Sequence, residues 1–356
     1  GIRMSTYLIM LVVSVFFASC ARRLQYETEY KKAYYVYAIL SVLPFVIVSS
    51  VRHKVGTDWY IYDEYFHAIN EGTNSFREPL FNLLNRIIYL FTDNSQLLFI
   101  SVAVITLSFT FVAIYQQSKY IPFSIILYFL STIYFNSLNQ MRQAIAMSIF
   151  LYASKYIWSK NWKKYMLWIL VAVGFHISAL VYVPVYFLYG WKAEVKKHIV
   201  LFGIVIVSMP VLKVVIISIL KLTPYAWYFD SAYSTNDFLL AGFLISFVLL
   251  VFHEYYNYCG NTNDDMVFHF LVNMQWLCVV SLLCTAFIPQ VSRISSALEI
   301  ISILTIPRMV LYEKKRNQRI IVYCIMVLML ATKLIYNVYV CGFYDVIPYH
   351  NIFSSL

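Results

Sequence analysis

Charge is scarce in this chain. Only 12% of its 356 residues are Asp, Glu, Lys or Arg, against about 25% in soluble domains. Together with 61% hydrophobic residues and a mean hydropathy of +0.70, that scarcity excludes a water-soluble fold. Cysteine is also sparse. Cys20, Cys259, Cys278, Cys284, Cys324 and Cys341 lie almost entirely within or beside apolar runs, with no spacing of a zinc site or an exported disulfide framework. The chain has no phosphate-binding loop, no dinucleotide-binding glycine fingerprint, no paired metal histidines and no Asp-x-Asp. No cofactor is therefore expected, and a metal-dependent mechanism would have only Asp58, Asp63 and Glu64 to draw on outside the membrane. The net charge of +10 does not indicate nucleic acid, because the basic residues sit in short clusters between apolar runs, as cytoplasmic loops do.

What is present is a succession of hydrophobic stretches of membrane-spanning length, about 20 residues each. Apolar helices are expected near 4–20, 34–50, 95–115, 120–136, 143–158, 199–220, 238–252, 266–288, 294–312 and 320–341. Continuous apolar runs favour helices over the alternation of a barrel, and aromatic residues at 19% suit membrane boundaries or a ligand groove. Phe17-Ala18-Ser19-Cys20 resembles a lipoprotein cleavage site, but Arg22-Arg23 and Lys31-Lys32 fit better as the loop after a first spanning helix. The expectation is an all-α polytopic membrane protein, one integral membrane domain over 1–356, with about 10–12 transmembrane or re-entrant helices.

Two segments depart from simple spans. Within the outer loop 51–94, residues 79–92 open with Pro79 and place Leu80, Leu83, Leu84, Ile87 and Phe91 opposite Asn82, Asn85, Arg86 and Tyr89, which predicts an amphipathic interfacial or re-entrant helix. Segment 165–190 contains Gly174 and Pro184 and has lysine clusters at both ends, Lys160/Lys163/Lys164 and Lys192/Lys196/Lys197. A pair of short helices entering and leaving from the cytoplasm, with His176 near the deep turn, accounts for both ends. Placing these clusters, Arg22–Lys32, Lys119 and Lys314–Arg319 in the cytoplasm puts both termini outside, with 51–94, 137–142, 221–237, 289–293 and the tail after 341.

Arg52, Arg77, Arg142 and Arg293 then lie on the face where topology alone does not call for them. Guanidinium forks match phosphate oxygens, and the aromatic rings of Trp59, Tyr60 and Tyr62 offer faces for sugars. The bland alternatives are a solvated loop with an aromatic belt and arginines that snorkel to the interface. His176 is either a hydrogen-bonded core residue or a functional group at depth. Lys213 and Lys333 are weaker candidates.

Five separated pieces resemble the EpsG-like branch of Wzy-type polysaccharide polymerases. They are Arg52 through Tyr62 with Val55-Gly56-Thr57-Asp58, Arg77-Glu78-Pro79-Leu80-Phe81, Arg142-Gln143-Ala144-Ile145-Ala146, Phe175-His176-Ile177-Ser178-Ala179-Leu180 and Ser292-Arg293-Ile294. The resemblance implies polymerisation of O-antigen, capsule or exopolysaccharide repeat units carried on undecaprenyl pyrophosphate, and a fold similar to the GT-C glycosyltransferases. It also implies a bacterial cytoplasmic membrane, an active face on the periplasmic or extracellular side, and partners such as a chain-length regulator. In that reaction Arg52, Arg142 and Arg293 would stabilise the leaving pyrophosphate. Asp58 would be the base, with His176 the alternative or a phosphate ligand. Arg77 and Glu78 would hold the outer loop, and Tyr60 and Tyr62 would stack on sugar. Competing readings are a flippase for lipid-linked glycans, a metal-dependent GT-C enzyme using a polyprenyl monophosphate sugar, and an acyltransferase. No internal repeat of the kind common in transporters is visible.

Overall fold

In hydrocarbon every backbone amide needs an internal partner, so the apolar runs fold as helices. The computed structural model describes residues 4–222, 226, 240–286, 288 and 291–353. Most of the expected outer segment 221–237, together with Pro289, lies outside them. Among the described residues there is no β-strand; one isolated antiparallel bridge pairs Arg52 with Asn351. Two compact units are present, residues 1–186 with 325–356, and residues 187–324.

The first unit opens with α1 (Ser5–Leu24) and α2 (Lys31–Ser50). Helix α1 continues through Cys20, and Ser14 Oγ donates to the Ser41 carbonyl across the pair at 2.6 Å. Next come α3 (Trp59–Glu71), α4 (Pro79–Tyr89) and the spanning helix α5 (Gln96–Gln117). The run expected as one helix over 120–136 is bent by 56° into α6 (Ile121–Leu130) and α7 (Ile133–Asn139). Thr132 sits at the bend with φ +70, a left-handed conformation that cannot continue a helix. Its hydroxyl accepts from the Tyr344 phenol at 3.0 Å. Helices α8 (Met141–Ala153), α9 (Lys155–Trp158) and α10 (Trp162–Phe175) follow, then two 3₁₀ segments, Ile177–Tyr182 and Pro184–Leu188. The chain breaks at His176, in extended backbone, while Gly174 stays inside α10.

The second unit carries α11 (Val195–Lys221), α12 (Leu240–Cys259), α13 (Met266–Cys284), α14 (Val291–Glu299) and α15 (Ser302–Val310). The run expected as one helix over 294–312 is thus two, α14 and α15. Inside α15, Pro307 lacks the N–H that would bond the Ile303 carbonyl. Asp265 fixes the start of α13, accepting from the Phe268 amide at 2.9 Å, from Arg308 at 2.8 and 2.7 Å, and from the Tyr312 hydroxyl at 2.6 Å. Helix α16 (Arg316–Ile335) runs into a π-helical turn, Tyr336–Val340, from which the tail folds back along the first unit. By length and composition seven helices among the described residues can cross a membrane, or eight if the bent α6–α7 pair counts as one span. The protein is an all-α polytopic membrane protein.

The polar segment 51–94, expected as an outer loop, is more ordered than its composition suggests. Helix α3 buries Trp59, Tyr62, Phe66 and Ile69, spaced three or four residues apart, and Gly72 closes it with φ +76. In α4 the stripe facing the protein is Phe81, Asn85 and Ile88, whereas Leu83, Ile87, Leu90 and Phe91 are exposed. The apolar face predicted for 79–92 therefore points largely away from the protein, the orientation of a helix lying in an interface.

Candidate functional site

Glu78 occupies the N-cap of α4, yet its carboxylate does not cap that helix. It reaches sideways to two other elements. Arg142, in the first turn of α8, donates from Nη1 to Glu78 Oε2 at 2.7 Å, and His176, just past α10, meets Glu78 Oε1 through Nδ1 at 3.0 Å. Glu78 and His176 are both buried. Burial alone would raise the Glu78 carboxyl, but the hydrogen bond with His176 and the charge of Arg142 overcome it and hold the group down at about 2. Glu78 is therefore a carboxylate at neutral pH and a poor proton acceptor. Accepting from Nδ1–H, it would leave the basic lone pair of a neutral imidazole on Nε2.

Arg142 is held from a second side. Its guanidinium carbon lies 3.9 Å from the centroid of Phe76, and Phe76 stacks on Tyr65 at 4.4 Å. Asn82 fixes the Phe76 backbone in both directions, accepting from its amide at 3.1 Å and donating to its carbonyl at 2.6 Å. Arg142 Nε is buried with no hydrogen-bond partner, so the guanidinium keeps donor capacity beyond Glu78.

A second constellation gathers around Asn139, which falls in the segment 137–142 expected outside but is not among the expected site residues. Its Oδ1 accepts from Thr57 Oγ1 at 3.1 Å and from the Asp58 amide at 3.4 Å, while Nδ2 donates to the Tyr344 carbonyl at 3.1 Å. The loop 52–58 is thereby tied to α7 and to the tail. Further bonds run from the Gly56 amide to the Asp345 carbonyl at 2.9 Å and from the His53 amide to the His350 carbonyl at 3.1 Å. Arg52 is 2% exposed. It donates to the Val55 carbonyl at 2.8 Å and to Met141 Sδ at 3.2 Å, and its guanidinium carbon is 5.0 Å from the Phe99 ring. Burial pushes it down to about 10, which leaves it a cation at neutral pH. Among the described residues no carboxylate lies within salt-bridge distance of it, so this charge organises the loop from inside.

The two constellations meet at the α7–α8 junction, where Arg52 contacts Met141 and the Arg142 amide donates to Tyr62 Oη at 3.5 Å. Asp58 is half-buried at the N-cap of α3 and caps nothing with its side chain, although Thr57 Oγ1 donates to its carboxylate at 3.2 Å. Tyr60 is exposed, whereas Tyr62 is buried against Phe76 and Phe81 and presents no open ring face. Arg77 is exposed. Asp63 accepts from Ser95 Oγ. Arg293 lies on α14 in the second unit. No group of three or more His, Cys, Asp or Glu among the described residues is placed to hold a metal ion.

A model of the EpsG family matches residues 35–351. No curated protein and no solved structure matches the chain.

Proposed function

This chain belongs to the EpsG family, and from that premise we propose that it is a membrane polysaccharide polymerase working on glycans carried by polyprenyl pyrophosphate. The observation that carries the site is the Glu78 carboxylate shared by Arg142 and His176. The segments around Arg52, Asn139–Arg142 and the tail at 344–352 meet in one place, and the positive-inside pattern assigns all three to the outer face. We place the reaction there.

A hydroxyl of one lipid-linked repeat unit attacks the anomeric carbon of the growing chain. As the new C–O bond forms, the bond from that carbon to the pyrophosphate oxygen breaks, and polyprenyl pyrophosphate leaves with the electron pair. His176 takes the hydroxyl proton on Nε2, and Glu78, ionised and bonded to Nδ1, sets the tautomer and stabilises the imidazolium. Arg142 directs its remaining donors at the leaving phosphate oxygens, where charge grows in the transition state. Arg52 and Asn139 hold the Gly56-Thr57-Asp58 loop, and Asp58 faces the acceptor sugar as the second candidate for the base. The test of the function is incubation of the purified protein with a lipid-linked repeat unit. A ladder of products is expected; a single added unit would replace polymerase by single-sugar transferase.

Replacing Arg142 by lysine keeps the charge but loses the planar fork and the stack on Phe76. The polymerisation rate is expected to fall on the order of 10²-fold with membrane insertion unchanged. Activity near that of the wild type would make Arg142 an anchor that only reaches the interface. Orientation is checked by impermeant maleimide on single-cysteine variants in which the native cysteines are replaced. Positions 70 and 345 should react in intact cells and positions 28, 162 and 316 should not, and reaction at 162 from outside would move the site to the opposite face.

A further inference from the structure

Gly174 is one residue inside the C-terminal end of α10, two positions before His176, and Leu80 is the second residue of α4, two positions after Glu78. These two touch. A Cβ added to Gly174 would stand 2.6 Å from Leu80 Cγ, 2.6 Å from Leu80 Cδ1 and 3.4 Å from Leu80 Cβ. Resting on the reading of the Glu78–His176 pair given above, we infer that Leu80 seated on Gly174 is the lock that registers α4 against α10, making both of them positioning residues for that pair.

The local stiffness of α4 carries the argument. The crowded atoms include Cγ, the branch point of the leucine, which moves only by a change of χ1 or of the helix itself, and one of the three χ1 wells is nearly closed to helical residues. Pro79, directly before Leu80, has a fixed φ. Phe76 and Asn82 clamp the chain on either side of Glu78 through their reciprocal bonds of 3.1 and 2.6 Å. A methyl group on residue 174 therefore displaces the start of α4 as a body and takes Glu78 with it. The Glu78–His176 contact is 3.0 Å, and hydrogen bonds weaken steeply beyond about 3.2 Å. A displacement of ~1 Å at a catalytic group costs about 10²-fold in rate. On this account glycine is required at 174 for close approach, and the backbone turns two residues later, at His176.

The test is a pair of compensating substitutions. Gly174→Ala should lower kcat for ladder formation about 10²-fold and leave the KM for lipid-linked donor nearly unchanged. Adding Leu80→Ala leaves only a Cβ in ordinary van der Waals contact with the new methyl, so the double variant should recover to within a few fold of Leu80→Ala alone. A readout independent of turnover is the side-chain nitrogen signal of His176 in ¹⁵N-histidine-labelled protein, assigned with His176→Gln. That signal should move in Gly174→Ala and return in the double variant. The inference is overturned if Gly174→Ala keeps wild-type rate and wild-type His176 signal. It is equally overturned if the double variant stays as impaired as the single one while unfolding at the wild-type temperature. Should the wild type extend no lipid-linked glycan, the functional reading fails, and the His176 signal still decides the lock.

Discussion

Glu78→Gln is expected to stop chain growth, with a loss of about 10²–10⁴ in rate, the range that a positioned acid–base group contributes. Glutamine matches glutamate in shape, so the protein should insert normally and unfold within a few degrees of wild type. The chemistry, however, inverts. The amide oxygen can still accept from Arg142, which turns the amide NH₂ toward His176 Nδ1, and a donor there forces the ring proton onto Nε2. The nitrogen that should take the hydroxyl proton is then already protonated. Glu78→Asp keeps the charge but shortens the reach from the α4 N-cap to both partners, and should also lose most activity. Asp58→Asn is the comparison: with His176 as base it should slow transfer far less than Glu78→Gln. A Gln variant that polymerises within about fivefold of wild type would remove His176 from the role of base and return it to Asp58.

Gly56→Ala should be the most damaging small substitution in segment 51–94. Gly56 has φ +105, where an L-residue is strained by about 1–3 kcal/mol. Its new Cβ would also fall 2.7 Å from Asn139 Oδ1 and 3.1 Å from Arg52 Nη1, two buried polar groups with little room to yield. Gly72 supplies the control, since it has φ +76 but nothing within 4 Å of its would-be Cβ. The unfolding midpoint in detergent should drop for both variants and clearly further for Gly56→Ala, with protease cleavage of the 344–352 tail accelerated only in the latter. Equal effects at the two glycines would mean that the loop does not rest on Asn139 and Arg52.

The spanning helices were legible because lipid enforces a local rule, namely about 20 apolar residues per crossing. The arginine, histidine and Gly-Thr-Asp pieces stand out in the sequence by residue type. How they pair was not, because each contact joins distant stretches of chain. Glu78 meets His176 98 positions away, and Asn139 meets Tyr344 205 positions away. No local pattern marks Asn139; the available cue was an amide side chain beside the Gln140-Met141-Arg142 break. Helix α3 was hidden for a different reason. Asp63, Glu64 and His67 interrupt the run Trp59–Ile69, and the stripe Trp59, Tyr62, Phe66, Ile69 emerges only when the segment is counted at helical period. The bend at Thr132 gives no local warning either, since threonine seldom adopts φ +70 and its hydroxyl is engaged by a tyrosine far down the chain. Tyr62 looked like a sugar platform because sequence alone does not separate a ring facing a groove from one packed on Phe81.

The bridge from Arg52 to Asn351 has a consequence for the order of events in biosynthesis. The loop that opens at Arg52 leaves the ribosome well before the strap at Asn351 that seats it. At about 5–20 residues per second the interval is roughly 15–60 s. During that time the backbone around Arg52 lacks its tail partners, the His350 carbonyl for the His53 amide and the Ile352 amide for the Val51 carbonyl. A nascent protein paused before residue 344 should thus carry an unfinished 52–58 loop however many helices it has already inserted, and competence should arrive abruptly once residues 344–352 are made.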